Sequence, residues 1–257
     1  MLYSFLEFCR DNLRHSFAQN FQDLFALWVS GGKRDGYFVE FGALNGRDFS
    51  NTYMLEKLGW NGIVAEPHPS YADKVPAVRN CHFSTKCVYD KTGDTVEFRT
   101  VVGRPALSAI GATQLNDSKS QLRSNYNSVE VSTITLNDLL DEYAAPYDID
   151  FISIDTEGSE SKILSAFDFG KRRIRSFCIE HNSEQRAQLT KIMKDAGYEN
   201  VFPEVSGHDD WWILADEVSK LPQRVNLDVS QYSQEVFDTA LNRRQSLLDS
   251  HLSNLKS

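Results

Sequence analysis

The chain has 257 residues, 41% of them hydrophobic and 12% aromatic, which is enough apolar material for a full core and too much for a disordered polymer. Its 27 Lys and Arg against 36 Asp and Glu give a formal charge of −9, which argues against nucleic acid as a partner. No apolar run approaches the roughly 18 residues of a bilayer-spanning helix, and Glu7, Arg10 and Asp11 break up the start where an export signal would be apolar, so a cytoplasmic protein without a membrane span is expected.

Over residues 1–30, Leu2, Phe5, Leu6, Phe8, Phe17, Phe21, Leu24, Phe25 and Leu27 fall mostly three or four apart, with a break around His15 to Asn20. That spacing predicts two amphipathic helices, the second ended by Gly31-Gly32. Tyr37 to Phe41 is almost continuously apolar, as a strand buried on both faces would be. A polar turn from Gly42 to Ser50 leads to a helix over Thr52 to Leu58, with Gly59 as its stop. Ile63 to Glu66 reads as a second strand and Cys81 to Tyr89 as a third, so the opening is βαβ.

After a turn at Asp90 to Asp94, Thr95 to Val101 is strand-like, and the polar, small residues 103–128 read as a long surface insertion of the kind that forms lids. Val129 to Ile134 resumes a strand, and Thr135 with Asp138 caps a helix over Leu136 to Tyr143. Asp150 to Asp155 predicts a central strand followed by a helix over 159–167, and Arg175 to Glu180 repeats the pattern of a strand ending on an acid. A helix over 184–196 stops at Gly197, and the runs 198–205 and 211–215 predict an antiparallel pair.

The expected fold is α/β: a doubly wound sheet closed by a hairpin, with a helical cap over 1–30, a central domain over 31–217 and a helical tail over 218–257. In the tail, Phe237, Ala240, Leu241, Leu247, Leu248 and Leu252 form a helical stripe that suits the body of the protein or the same helix of a second copy in a homodimer. Cys9, Cys81, Cys87 and Cys178 sit in apolar contexts without a Cys-x-x-Cys pair, so reduced thiols are expected rather than disulfides or zinc.

Ligands of an open parallel sheet bind beyond the carboxyl ends of its strands. The first such end reads Glu40-Phe41-Gly42-Ala43-Leu44-Asn45-Gly46, a Gly-x-x-x-Gly spacing rather than the dinucleotide Gly-x-Gly-x-x-Gly, and Glu40 would repel a diphosphate. Glu66 ends the second strand 66 − 46 = 20 residues after Gly46, where it can accept hydrogen bonds from both hydroxyls of a ribose. An acidic glycine turn beside a ribose acid points to S-adenosylmethionine, whose sulfonium and amino-acid part suit Glu40. A nicotinamide-dependent oxidoreductase would share Glu66 but needs the missing fingerprint. A non-catalytic binding module would not need Glu40, Glu66, Asp155 and Glu180 all kept at strand ends.

Several blocks together resemble one family. Tyr37 to Gly46, Ser50-Asn51-Thr52-Tyr53, Glu56, Gly59 to Gly62, Ala65-Glu66-Pro67 and Ser153 to Glu160, with Gln19 to Phe25 upstream and Ile179 to Asn182 downstream, are similar to the FkbM family of methyltransferases over about residues 16–215. The resemblance implies a class I methyltransferase fold with a Rossmann-like seven-stranded sheet, S-adenosylmethionine as cofactor, and methyl transfer to a hydroxyl of a small-molecule or glycan acceptor. It implies that Glu40, Gly42 and Gly46 face the methionine part and Glu66 the ribose, that the stretch Cys87 to Asp90 borders the adenine, that Ala43, Asn45, Pro67, Cys87 and Val88 also belong to the cofactor site, and that Asp155 lies where cofactor and acceptor meet.

Methyl transfer from a sulfonium is an in-line displacement, so the protein mainly aligns the acceptor and removes its proton. Asp155 and Glu157 follow one strand, and Glu180, His181 and Asn182 its neighbour; His181 or Asp155 is expected to take the proton, unless His181 only holds a loop. Alternatively Asp155, Glu180 and Asn182 supply hard oxygen ligands for Mg2+ against a vicinal diol, with Asp209 and Asp210 nearby. Trp211-Trp212 reads as packing, Lys171-Arg172-Arg173 as a solvated turn, and Glu157 and Glu160 as carboxylates favoured by a helix dipole. Nothing in the spacing ties Arg104 or Ser108 of the insertion to a ligand.

Overall fold

Apolar runs short enough for strands alternate with amphipathic helices, and the chain resolves them into two sheets. The computed structural model describes residues 1–111, 119–227 and 238–255. In chain order come α1 (Leu2–Asn12), α2 (Gln22–Val29), β1 (Tyr37–Phe41), α3 (Tyr53–Lys57), β2 (Asn61–Ala65), α4 (Lys74–Val78), β3 (His82–Ser84), β4 (Cys87–Tyr89), β5 (Thr95–Val101) and β6 (Ala109–Ile110). Then follow β7 (Tyr126–Thr135), α5 (Leu136–Glu142), β8 (Asp148–Ile154), α6 (Glu160–Ala166), β9 (Arg173–Glu180), α7 (Arg186–Asp195), β10 (Tyr198–Val201), β11 (Asp209–Leu214), α8 (Ala215–Val218) and α9 (Asp238–Asn254).

The main sheet has seven strands in the order β10-β11-β9-β8-β1-β2-β3. β1, β2, β3, β8 and β9 run parallel, and β11 is antiparallel to both β9 and β10. The chain winds outward from β1 through β2 to β3, then returns to β8 on the other side of β1. That reversal makes the crevice between β1 and β8 the place where a doubly wound fold binds ligands. The seven-stranded sheet closed by a hairpin therefore matches the expected architecture.

Two sequence expectations fail on the β3 side. Cys81 to Tyr89 is not one strand: β3 ends at Ser84, and Cys87 opens β4 in a second sheet of order β4-β7-β5-β6. The break falls at Ser84-Thr85-Lys86, too brief an interruption for periodicity to mark a change of sheet. The insertion over 103–128 also carries more structure than a surface loop. It contributes β6 and the first residues of β7, while its stretch 112–118 lies outside the described residues.

Alternation along the strands fixes two faces. Phe38, Val64, Phe151, Cys178 and Trp211 point toward α1, α2 and α9, and Val39, Ile63, Ile152, Phe177 and Trp212 point toward α5, α6 and α7. Both tryptophans are thus core residues, Trp211 stacking on Phe25 with ring centroids 4.8 Å apart. The stripe of α9 packs on the chain's own core: Leu248 is buried there, with Leu241, Leu247 and Leu252 partly so. Phe237 and the side chain of Ala240 lie outside the described residues. Arg244 of α9 is fully buried, and its Nη1 donates to the Ala18 carbonyl at 2.9 Å. The four cysteines are free thiols. Among the described residues no helix is long and apolar enough to cross a membrane.

Candidate active site

Register decides which strand-end residues meet. Phe41 pairs with Ala65 and with Ile154, Ile154 with Ile179, and Glu180 with Asp209. One step beyond the first three pairings, Gly42, Glu66 and Asp155 line up with Glu180 and Asp209 in a single row across the carboxyl edge. Alternation points Glu66, Asp155, Glu180 and Asp209 to the face of Val64, Phe151, Cys178 and Trp211, the side on which α2 packs. All five residues of the row line one cavity of about 1210 Å³, counting the solvent at its mouth.

Glu40 lies on the same face but two residues before the edge, and it does not line the cavity. Its buried carboxylate accepts from Ser50 Oγ at 2.8 Å, Asn51 N at 2.6 Å and Thr52 Oγ1 at 2.6 Å, with Arg79 Nη1 at 3.4 Å. An acid that sequence alone assigns to the ligand thus anchors the loop leading to α3. Ala43, Asn45 and Gly46 also stand off the cavity. Asn45 Oδ1 accepts from the Arg47 and Asp48 amides, at 3.1 and 2.9 Å. At Gly46 a Cβ would lie 3.2 Å from Arg79 Cγ and 3.3 Å from Val75 Cγ1, so this glycine makes room for packing.

Gly42 is different. Its φ is +79°, and a Cβ would lie 1.9 Å from the Asp155 carbonyl oxygen, so only glycine lets the ends of β1 and β8 meet. Beside it, Glu66 Oε2 accepts from Leu44 N and Oε1 from His68 N, both at 2.9 Å. Burial pushes the Glu66 carboxyl up to about 7 against the pull of those two amides. An ionised carboxylate has about four lone-pair positions, so two remain for a ligand. Pro67, Cys87, Val88, Leu107 and Ile110 give the wall beyond it an apolar character. Burial pushes the Cys87 thiol up to about 12, which makes it wall rather than nucleophile.

On the other side of Gly42 the row turns acidic. One oxygen each from Asp155, Glu157 and Glu180 lies within 4.8 Å of the others. Burial raises the Asp155 carboxyl to about 8, with Glu157 and Asp209 adding to the shift, and it raises Glu180 well above the carboxylate range, with Asp155 adding. The hydrogen bond between Asp155 and Glu180 accordingly holds a proton near neutrality. Asp209, raised by burial to about 6, accepts from Gln22 Nε2 at 2.6 Å. Glu157 adopts φ +53° and pairs with Arg123, with Lys119 Nζ at 3.8 Å. Its loop is shaped by Glu160, whose Oε1 accepts from Thr156 N at 3.0 Å, Thr156 Oγ1 at 2.8 Å and Gly158 N at 3.0 Å. Glu160 is therefore a loop anchor, a stronger role than the helix-dipole partner that its position alone suggests.

Two expected residues are absent from this cluster. His181 follows Ile179 onto the opposite face, where its Nε2 lies 3.7 Å from Asp210 Oδ1 and burial lowers its pKa. Asp210 is gripped there by Arg186 at 2.8 and 3.1 Å. Asn182 does not join the carboxylates either, because its Oδ1 accepts from the Glu184 and Gln185 amides, at 3.1 and 2.9 Å, and so caps the approach to α7. Glu157 stands in the cluster where Asn182 was expected.

Other lining residues carried no sequence assignment. Asn51 Nδ2 donates to Ser153 Oγ at 2.8 Å, while its buried Oδ1 has no partner among the described residues. Gln19, Gln22 and Phe49 form a further wall, tied by a bridge between Ala18 and Phe49 and by Asp23, which accepts from Phe17 N at 2.7 Å and Ala18 N at 3.2 Å. Of the insertion residues, Ser108 lines the cavity but its Oγ accepts from Val101 N at 3.0 Å, and Arg104 does not line it. Lys171-Arg172-Arg173 lies elsewhere, Arg172 pairing with Asp141 and Arg173 with Glu217.

Residues 40–199 match the methyltransferase FkbM domain. Among solved structures, a precorrin-6y C5,15-methyltransferase from Geobacter metallireducens GS-15 is similar at 11% identity and a TM-score of 0.38, over 74% of this chain and 85% of that one, a likeness too loose to carry an argument. No curated protein matches the sequence.

Proposed function

The chain belongs to the FkbM family of methyltransferases, and on that premise we propose that it is an S-adenosylmethionine-dependent O-methyltransferase acting on a hydroxyl of a small-molecule, sugar or glycan acceptor. The observation that carries this reading is the row at the carboxyl edge, in which Gly42 separates a ribose-type acid, Glu66, from the proton-sharing pair Asp155 and Glu180.

The residues present fit the cofactor. Glu66 keeps two lone-pair positions for the ribose hydroxyls, and the apolar Pro67, Cys87 and Val88 suit an adenine face. The unpartnered Asn51 Oδ1 offers an acceptor to the ammonium of the methionine part, and the bare Cα of Gly42 leaves room beside it. When bound, the cofactor supplies a methyl group already activated on a sulfonium.

The chain then has to orient a hydroxyl and receive its proton. Asp155 does both in this reading: it sits at the junction of the two halves, and its raised pKa suits a base working near neutrality. Glu180 tunes it through their hydrogen bond, Glu160 fixes the following loop, and Gln22 holds Asp209 toward the acceptor. His181 has no part in the transfer, since it lies off the cavity.

Calorimetric titration of the whole chain with S-adenosylmethionine, S-adenosylhomocysteine and NAD tests the cofactor, and transfer of labelled methyl to extract metabolites and glycans tests the reaction. Binding of the first two and not of NAD is expected, with label recovered as an alkali-stable ether. Preference for NAD would favour an oxidoreductase, and cofactor binding with no transfer to any fraction would favour a binding module.

A further inference from the structure

One base suffices to take a proton from a hydroxyl, yet three carboxylates converge beside Gly42. Asp155 follows β8, Glu180 closes β9, and Glu157 is delivered by a loop held in a left-handed conformation, φ +53° at Glu157 and +107° at Gly158. Backbone strain of this kind costs on the order of 1–3 kcal/mol at a non-glycine residue, and here it brings like charges together. Glu157 has Arg123 and Lys119 to offset it, whereas Asp155 and Glu180 have each other.

A second observation is independent of the acids. Ser159 lines the same cavity, is 1% exposed, and its Oγ has no hydrogen-bond partner among the described residues. A buried hydroxyl left unpaired costs about 1–3 kcal/mol unless something else engages it.

We propose that Asp155, Glu157 and Glu180 hold a divalent cation on the acceptor side of the cavity, with the Ser159 hydroxyl and water available to complete its shell. The donor set is all oxygen. The thiol of Cys87 belongs to the adenine-side wall and the imidazole of His181 to the opposite face, so the site selects hard ions, magnesium or manganese, over zinc. Magnesium to oxygen distances are about 2.0–2.1 Å, so oxygens sharing that ion stand at most about 4.2 Å apart. The three ligand atoms, all within 4.8 Å of one another, stand within about 0.6 Å of that limit, a difference that rotation of the side chains closes.

Each carboxylate commits one oxygen to the ion, and the proton shared by Asp155 and Glu180 leaves to solvent as the ion enters. The second oxygen of Asp155 stays available to the acceptor hydroxyl. Placing the ion on the acceptor side rests on the methyl-transfer reading, whereas its binding by these residues does not.

The test is a titration of the EDTA-stripped full-length chain with Mn2+ alone, followed by electron paramagnetic resonance, with Mg2+ as competitor. One Mn2+ per chain is expected, weakened at least tenfold in Asp155→Asn and in Glu180→Gln and unchanged in Asp195→Asn, an exposed acid on α7. Glu157→Gln, which keeps the side-chain length, replaces either variant that fails to melt cooperatively, with the same tenfold loss expected. No saturable binding by the wild type, or saturable binding that the cluster variants leave within twofold, overturns the proposal. S-adenosylhomocysteine titrated into the same samples separates the two readings: Mn2+ binding without it sinks the cofactor assignment and leaves the ion site standing.

Discussion

The two halves of the cavity are built by different means. The half proposed for the cofactor consists of strand ends and backbone amides: Gly42, the Leu44 and His68 amides, and Glu66 between them, all within the family-matched stretch 40–199. The half proposed for the acceptor is finished from outside that stretch, by Gln19, by Gln22 at the start of α2, and by His208 and Asp209 at the start of β11. Sheet register fixes the first half wherever such a sheet forms. The second depends on side chains brought from both ends of the chain, and can vary without disturbing the first.

The difference is broken most forcefully at Gly42. Gly42→Ala drives a methyl into the Asp155 carbonyl at a positive φ and is expected to destabilise the protein by about 2–4 kcal/mol and to abolish cofactor binding. Gly46→Ala, with the same sign of φ but only tight side-chain contacts, should lose about 1 kcal/mol and leave cofactor affinity alone. Urea melts and calorimetry of the two variants measure both quantities.

Next in size, Glu66→Gln should weaken S-adenosylhomocysteine binding by about 10- to 100-fold, the worth of hydrogen bonds to a charged group, with acceptor KM unmoved. The same carboxyl sets a pH dependence. Its pKa rises from an ordinary 4.5 to about 7 in the free protein, so ionising it costs stability as pH climbs between those values. Ribose hydroxyls donate to the ionised form, so cofactor affinity should be flat above about pH 7 and fall by up to tenfold per unit below it. Titrations in buffers of different ionisation heat should show one proton released per cofactor bound at pH 6. An affinity independent of pH would show that Glu66 does not meet the ribose.

On the acceptor side the effects should be smaller and leave the cofactor untouched. Gln22→Ala removes the donor held at 2.6 Å from Asp209 and should raise acceptor KM by about three- to tenfold with cofactor Kd unchanged. The smallest effect is expected from His181→Ala, with turnover within about threefold of wild type. A loss of a hundredfold or more would restore the histidine as base.

The place of Gly42 and Glu66 on the cavity was legible before the structure, because a strand's last residue, a glycine turn and an acid twenty positions on are features of local sequence. Glu40 shows the limit of that reading. It is a glutamate like Glu66 and nearer the glycines, but only the pairing of Phe41 with Ala65 and Ile154 reveals that it sits two residues below the edge. His181 and Asn182 mislead for a related reason: adjacency in sequence puts consecutive residues on opposite faces, which sends His181 to Asp210 and leaves Asn182 capping a helix. Gln19, Gln22 and Asn51 fall in the family-like blocks but had no role to read from them, since an amide gains its role only from what folds against it. The split of Cys81 to Tyr89 between two sheets was likewise invisible to a hydrophobicity pattern that continues across it.

Arg244 has a consequence for the order of assembly. It reaches from the last helix to the carbonyl of Ala18, in the segment that carries Gln19 and Gln22. A chain emerging from the ribosome can complete β1 to β9 and the cofactor half while the Ala18 segment still lacks this clasp. Competence to bind the nucleoside would then precede competence to select an acceptor, and a nascent chain stalled before Arg244 should capture S-adenosylhomocysteine while protease still cuts it at the open segment.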